Sequence, residues 1–160
     1  MLSVATWNVN SIKARLEHLI KWCGESAADV VALQETKTVD AGFPGEALAP
    51  LGYVHTISGQ PSYNGVAILS RATPREVVTA IPGFVDEQRR VLGVAFDDFF
   101  LLNLYVPNGS AVGTDKYVYK LAWLDALLAW LPALLQAHPQ LLIVGDFNIA
   151  PDDRDVHDPD

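Results

Sequence analysis

The sequence predicts a mixed α/β (α+β) fold, and three observations predict it. Short apolar runs bounded by breakers, such as Val30-Val31-Ala32-Leu33 and Leu141-Leu142-Ile143-Val144, have the length and composition of strands covered on both faces. A strand, a helix and a second strand fit between Leu2 and Gln34, which is the spacing of a parallel or mixed sheet with its helix outside. The middle of the chain is then a run of short segments separated by turn chemistry, as in an antiparallel sheet. With 160 residues, half of them hydrophobic, the chain suits one domain with a sizeable core.

Residues 2–7 alternate and read as the first strand. Asn8-Val9-Asn10-Ser11 is a turn in which Ser11 can cap the following helix. Ile12, Leu16, Leu19, Ile20 and Cys23 recur at helical spacing, and Gly24 is expected to end that helix. Residues 29–34 form a second buried strand that delivers Glu35-Thr36-Lys37 at its carboxyl end. Residues 44–51 read as a short helix closed by Gly52, and residues 53–58 as a strand. A loop over 59–65 leads to strands at 66–70 and 75–80. After a Pro82-Gly83 loop, residues 90–96 and 99–105 make a hairpin around Asp97-Asp98. The longest helix starts at Thr114 or Asp115 and runs to about Ala137. Pro132 is expected to kink or divide it, since an interior proline costs about 3 kcal/mol. Pro139 ends it, and the strand Leu141-Leu142-Ile143-Val144 follows, closing on Gly145-Asp146-Phe147-Asn148.

Composition narrows the function classes. The single Cys23 excludes an internal disulfide, which fits a reducing compartment. The longest apolar stretch, residues 121–135, carries Asp125 and Pro132 and falls short of the roughly 18 apolar residues of a membrane span. These features predict a cytoplasmic chain without a membrane partner. A formal net charge of -8 weakens a nucleic-acid reading. Much of it sits in the tail, at Asp152, Asp153, Asp155, Asp158 and Asp160, and a local basic patch with a divalent metal still allows a polyanion.

The chemistry-bearing residues share one pattern. Asn8, Glu35 and the pair Asp146 and Asn148 each follow the carboxyl end of an apolar run. If those strands are neighbours, the four side chains converge on one rim, which Tyr105 also reaches from the end of another strand. Oxygen donors of this kind suit a hard cation such as Mg²⁺, which takes one or two carboxylates and keeps waters for substrate phosphate. Histidines and cysteines at zinc spacing are absent from the sequence. His18, His55, His138 and His157 stand in helix, strand, helix-end and tail contexts and are not candidates. Taken singly, each rim residue also has an ordinary explanation as a turn, a solvated carboxylate or a strand aromatic.

Taken in order they do more. Trp7-Asn8-Val9-Asn10-Ser11, Gln34-Glu35-Thr36-Lys37, Asn64-Gly65-Val66-Ala67-Ile68-Leu69-Ser70-Arg71, Leu104-Tyr105-Val106-Pro107-Asn108-Gly109 and Gly145-Asp146-Phe147-Asn148 together resemble the exonuclease III family. These are the Mg²⁺-dependent DNA repair nucleases of the endonuclease/exonuclease/phosphatase superfamily. Leu104-Tyr105-Val106-Pro107-Asn108-Gly109, Gln88-Arg89-Arg90 and Asp153-Arg154-Asp155-Val156-His157-Asp158-Pro159 point to the DNA-repair branch.

The resemblance implies a four-layer α/β/β/α sandwich and hydrolysis of DNA phosphodiesters in base excision repair, at abasic sites and 3′ ends of double-stranded DNA. It implies Mg²⁺ as cofactor, with Mn²⁺ as a substitute. Glu35 would be the main carboxylate ligand, Asn8 would stand in or beside the metal's coordination, and Asp146 and Asn148 are further metal candidates. Asp146 would orient or deprotonate the attacking water. Asn148 would hold the scissile phosphate or Asp146 itself, and Tyr105 would contact the phosphate or the leaving oxygen. Arg89, Arg90, Lys116 and Lys120 are candidates for DNA backbone contacts.

The sequence departs from the family in one respect: the Ser-Asp-His motif of the family's later segment does not occur here. Residues 1–160 are therefore expected to be the N-terminal portion of a single such domain, supplying one sheet, its helices and some strands of the other. An apolar sheet face left partly bare would then favour association, and activity would be impaired. No obligate protein partner is implied. Two other readings stand beside this one: a phosphatase of the same superfamily acting on an inositol phosphate or lipid head group, and a non-catalytic fragment that binds DNA or a partner.

Overall fold

The computed structural model describes residues 1–156. His157, Asp158, Pro159 and Asp160, named above with the acidic tail, lie outside them.

Among the described residues, eight strands form two four-stranded sheets. The first contains β1 (Val4–Asn8), β2 (Val30–Gln34), β3 (Val54–Ser58) and β4 (Val66–Ser70), in the order β1-β2-β4-β3. The second contains β5 (Glu76–Val78), β6 (Val91–Ala95), β7 (Phe100–Tyr105) and β8 (Leu141–Asp146), in chain order. Helix α1 (Ile12–Ser26) connects β1 to β2, and α3 (Asp115–Ala137) connects β7 to β8. Both connected pairs are parallel, and every other pairing is antiparallel. Each sheet thus carries one strand–helix–strand unit. The short α2 (Gly45–Leu48) runs into a 3₁₀ turn at Ala49–Leu51.

Three apolar layers hold the sandwich together. Ile12, Leu19 and Cys23 of α1 pack on Val31, Leu33, Ala67 and Leu69. Trp123, Leu127 and Leu134 of α3 pack on Phe100, Leu102 and Leu104. Between the sheets, Val30, Val66 and Ile68 meet Leu92, Val94 and Leu101. Strand alternation sorts these sets: in β7, Leu102 and Leu104 face the helix while Leu101 and Asn103 face the other sheet. The expectation of a partly bare sheet face narrows to the edge strands, where Val4 of β1 and Val144 of β8 are only partly buried. Residues 1–156 supply both sheets, and Val66, Ile68, Leu92 and Leu101 are completely buried between them. What the sandwich leaves unpaired is strand edges, β1 and β8 on one side and β3 and β5 on the other.

Several local expectations change. Helix α3 runs through Pro132 undivided. Pro132 and Leu128, whose carbonyl loses its amide partner, both face solvent, so water satisfies the freed group. Helix α1 passes Gly24 and stops at Ser26, where Ala27 takes the left-handed conformation. Ser11 occupies the cap position without a side-chain bond, whereas Thr114 does cap α3 by accepting from the Tyr117 amide at 3.3 Å. By length and composition alone α3 also passes for a membrane span, with a mean hydropathy of 1.4, contrary to the shorter stretch counted above. It packs as an outer helix of the sandwich, with Trp123 buried against the second sheet.

Candidate active site

Four carboxyl strand ends meet at one rim. Asn8 is the last residue of β1, Glu35 follows β2, Tyr105 ends β7 and Asp146 ends β8. Two parallel pairs, one per sheet, therefore present their carboxyl ends side by side. Tyr105 and Asp146 are register partners, and β8 extends through Gly145 rather than stopping before it.

The Asn8 amide joins the two halves. Its Nδ2 donates to Glu35 Oε1 and to Asp146 Oδ2, each at 2.8 Å. Asn8 Oδ1 accepts from the Asn10 amide at 3.0 Å, which keeps the nitrogen turned toward the carboxylates. The Tyr105 hydroxyl donates to the same Glu35 Oε1 at 2.8 Å. Lys37 Nζ lies 3.0 Å from Glu35 Oε2 and also donates to Asn10 Oδ1. Sequence reasoning assigned Lys37 no role; its signal was its place two residues after Glu35.

Backbone strain builds this cluster. Glu35 and Lys37 have φ of +54° and +53°, and Asn10 and Asn148 have +42° and +49°. Asparagine tolerates the left-handed region, but glutamate and lysine there must be held by their surroundings. Ser11 and Ile12 at the start of α1 donate their amides to the carbonyls of Glu35 and Thr36, at 2.8 and 3.1 Å. Thr36 and Lys37 donate to the carbonyls of Gly65 and Asn64, each at 3.0 Å. The helix start and the loop before β4 thus clamp the exit of β2 from both sides.

Asn148 acts through its backbone. Its amide donates to Asp146 Oδ1 at 3.0 Å. Its side chain turns to the loop after β7, donating to the Val106 carbonyl at 2.9 Å and accepting from Asn108 Nδ2 at 3.2 Å. Of the two roles expected for Asn148, holding Asp146 is the one this geometry supports.

The four candidate cations divide. Arg89 and Lys116 are exposed. Arg90 and Lys120, also named as candidates for DNA backbone contacts, are only 9% exposed. Arg90 lies over the Tyr105 ring at 4.6 Å and donates to the Tyr105 carbonyl at 3.1 Å. Lys120 donates to the carbonyl of Asn148 at 2.6 Å and faces that of Asn108 at 3.4 Å. Both are committed to holding site loops. Their type suggested phosphate contact; only burial separates them from Arg89 and Lys116.

Electrostatics follow from these contacts. Burial pushes the Glu35 carboxyl up, but the Asn8 amide, the Lys37 ammonium and the Tyr105 hydroxyl together hold it below its usual value. Glu35 is then an anion across the neutral range. Its contribution to stability is present above the ordinary glutamate pKa and is lost as pH falls through the depressed value. Tyr105 moves the other way. Burial first, then its bond to Glu35, push its phenol to about 12. Tyr105 remains a donor, and the stability it contributes is lost as pH rises from its ordinary value through about 12. An ultraviolet difference titration is expected to show a late phenol that Glu35→Gln moves to lower pH. An unmoved titration in that variant would contradict the Tyr105–Glu35 bond.

The groups that could coordinate a metal are the carboxylate oxygens of Glu35 and Asp146, since Asn8 presents its amide nitrogen to them as a hydrogen-bond donor. Among the described residues no three of His, Cys, Asp and Glu gather as a metal cluster. Two carboxylates held by one amide fit Mg²⁺, which keeps several waters, better than zinc, whose sites are built from three or four His, Cys or carboxylate ligands.

The description "Endonuclease/Exonuclease/phosphatase family" belongs to a family whose model matches residues 5–160. The chain belongs to this family. The exodeoxyribonuclease of Bacillus subtilis is 29% identical over 163 residues, covering 99% of this chain and 63% of the relative. A structure of the Neisseria 3′ phosphatase NExo, bound to product DNA hairpin, has a TM-score of 0.95 and 38% identity. It covers 99% of this chain and 62% of that one. An AP endonuclease from Archaeoglobus fulgidus has a TM-score of 0.93 and 36% identity, with the same coverage. The chain therefore spans less than two-thirds of the length of the family members it matches. The four-layer α/β/β/α sandwich is shared with these neighbours.

Proposed function

We propose that these residues form the active site of a Mg²⁺-dependent DNA phosphodiester hydrolase of base excision repair, acting at abasic sites and 3′ ends. The observation that carries this reading is the Asn8 amide bonded to both Glu35 and Asp146. It brings a carboxylate from each sheet to one point beside a donor, Tyr105. Names among the relatives support DNA as the substrate: an exodeoxyribonuclease, an AP endonuclease and a 3′ phosphatase bound to product DNA hairpin.

Glu35 would hold the metal, with Asn8 beside it orienting the carboxylates through its amide, and Asp146 is a further ligand candidate. Bound Mg²⁺ supplies positive charge for the oxygens of the phosphate under attack. Asp146, positioned by the Asn148 amide and by Asn8, orients the attacking water and accepts its proton. Tyr105, held protonated, would turn its single O–H from Glu35 to donate to the phosphate or the leaving oxygen. Arg89 and Lys116, exposed beside the rim, contact backbone phosphates without reading sequence. Without a Ser-Asp-His segment in this sequence, the reaction is expected to run slowly on the chain as it stands.

The test is a nicking assay on a duplex carrying one abasic site, with Mg²⁺ and with chelator, beside inositol phosphates. Slow Mg²⁺-dependent nicking that Glu35→Gln abolishes is the expected result. Release of phosphate from inositol phosphates, with abasic DNA untouched, would replace this reading with the phosphatase.

A further inference from the structure

The centre of the layer between the sheets is apolar, built by Val66, Ile68, Leu92 and Leu101, and two carboxamides enter it beneath the rim. There Gln34 and Asn103, 1% and 0% exposed, face each other from β2 and β7. Gln34 precedes Glu35, and Asn103 stands two residues before Tyr105 on the same face of its strand. Gln34 Nε2 donates to Asn103 Oδ1 at 2.7 Å, and lies 3.0 Å from Thr6 Oγ1 and 3.2 Å from the Ala32 carbonyl. Asn103 Nδ2 donates to the carbonyls of Leu33 and Ala67 at 3.0 and 3.1 Å. Leu33 and Ala67 are register partners on β2 and β4, so one amide from the second sheet spans a strand pair of the first.

We propose that the Gln34–Asn103 pair is a positioning device that sets the register of one sheet on the other and so brings Tyr105 and Asp146 onto Glu35 and Asn8. Apolar packing between sheets is non-directional and tolerates sliding. The catalytic cluster tolerates none, because its bonds cross the same gap: Tyr105 to Glu35 and Asn8 to Asp146. Directional bonds one layer below are what can fix that gap. Two buried amides also make every misregister unfavourable, since sliding would leave them unpaired. Neither residue touches the cluster's acidic atoms, so both act through Glu35 and Tyr105.

The metal part of the test rests on the function proposed above; the protein part does not. Gln34→Met with Asn103→Leu replaces both amides by apolar side chains of similar volume, and is expected to keep a cooperative unfolding transition. Mn²⁺ is the probe, its binding followed by electron paramagnetic resonance, with Glu35→Ala as the control that removes the site. The expected result is affinity reduced roughly 10-fold or more, the range for supporting residues around a metal. The second readout needs no metal: nuclear Overhauser contacts between the Tyr105 ring and the Asn8 side-chain amide. Both groups bond to one Glu35 oxygen, so the contacts are expected in the wild type and weakened in the double variant.

Retained contacts with unchanged Mn²⁺ affinity would overturn the proposal and leave the pair a packing feature. If the double variant fails to fold, Asn103→Asp serves instead. It keeps the shape but can donate to at most one of the Leu33 and Ala67 carbonyls, and the same two readouts decide. A wild type that binds Mn²⁺ no better than Glu35→Ala, while the contacts weaken as expected, would sink the function reading and support the positioning one.

Discussion

Asp146→Asn is expected to slow Mg²⁺-dependent nicking by roughly 10²–10⁴-fold, the contribution of a positioned general base. The substitution keeps size and retains one oxygen that can accept, so either the Asn8 amide or the Asn148 backbone amide stays bonded. Asp146 is half-buried at a strand end, and its loss from the hydrogen-bond set is expected to leave the unfolding midpoint nearly unchanged. The change removes the proton acceptor and little else. Single-turnover nicking rates beside a denaturation curve separate the two effects. A variant that nicks within a few-fold of the wild type would remove Asp146 from the role of base, and a variant that unfolds early would reassign it to structure.

Gly145→Ala is expected to be the most damaging single substitution to the fold near the site. Gly145 has φ of +139°, which side chains rarely adopt. A Cβ there would stand 1.9 Å from the Leu104 carbonyl oxygen. The obstacle is the backbone of the neighbouring strand, so no rotamer change relieves it. Strain and overpacking together should cost about 3 kcal/mol or more, a large share of a domain's stability. Urea unfolding measures it. The physical cause also predicts where the damage spreads. Gly145 is the register partner of Leu104 and directly precedes Asp146, so a forced shift moves Asp146 away from Asn8. A variant as stable as the wild type would mean that β8 does not approach β7 this closely.

Much of the fold was legible because strand and helix periods are local properties. The strand at Val66–Ser70 and the helix ending at Ala137 came directly from apolar runs and their breakers. The failures were equally physical. Pro132 reads as a break only if the helix needs every internal bond, and an exposed carbonyl at Leu128 does not. Ser11 reads as a cap, but the helix start is bonded to Glu35 and Thr36, far along the chain. The partly bare sheet face was inferred by counting missing sequence, whereas strands β5 to β8 already make a second sheet that covers the centre of the first and leave only its edge at β1 partly exposed.

By itself the sequence determined which residue types stand at strand ends: Asn8, Glu35, Tyr105 and Asp146. Strand length and alternation are set by neighbours a few residues away, so those positions can be read without a fold. Only the tertiary structure decided that four separate ends share one rim, joined by the Asn8 amide across two sheets. It also decided that Arg90 and Lys120 brace the site while Arg89 and Lys116 face solvent. The reason is the same in each case. Burial and partnership depend on residues up to 138 positions apart, and no local pattern carries that information.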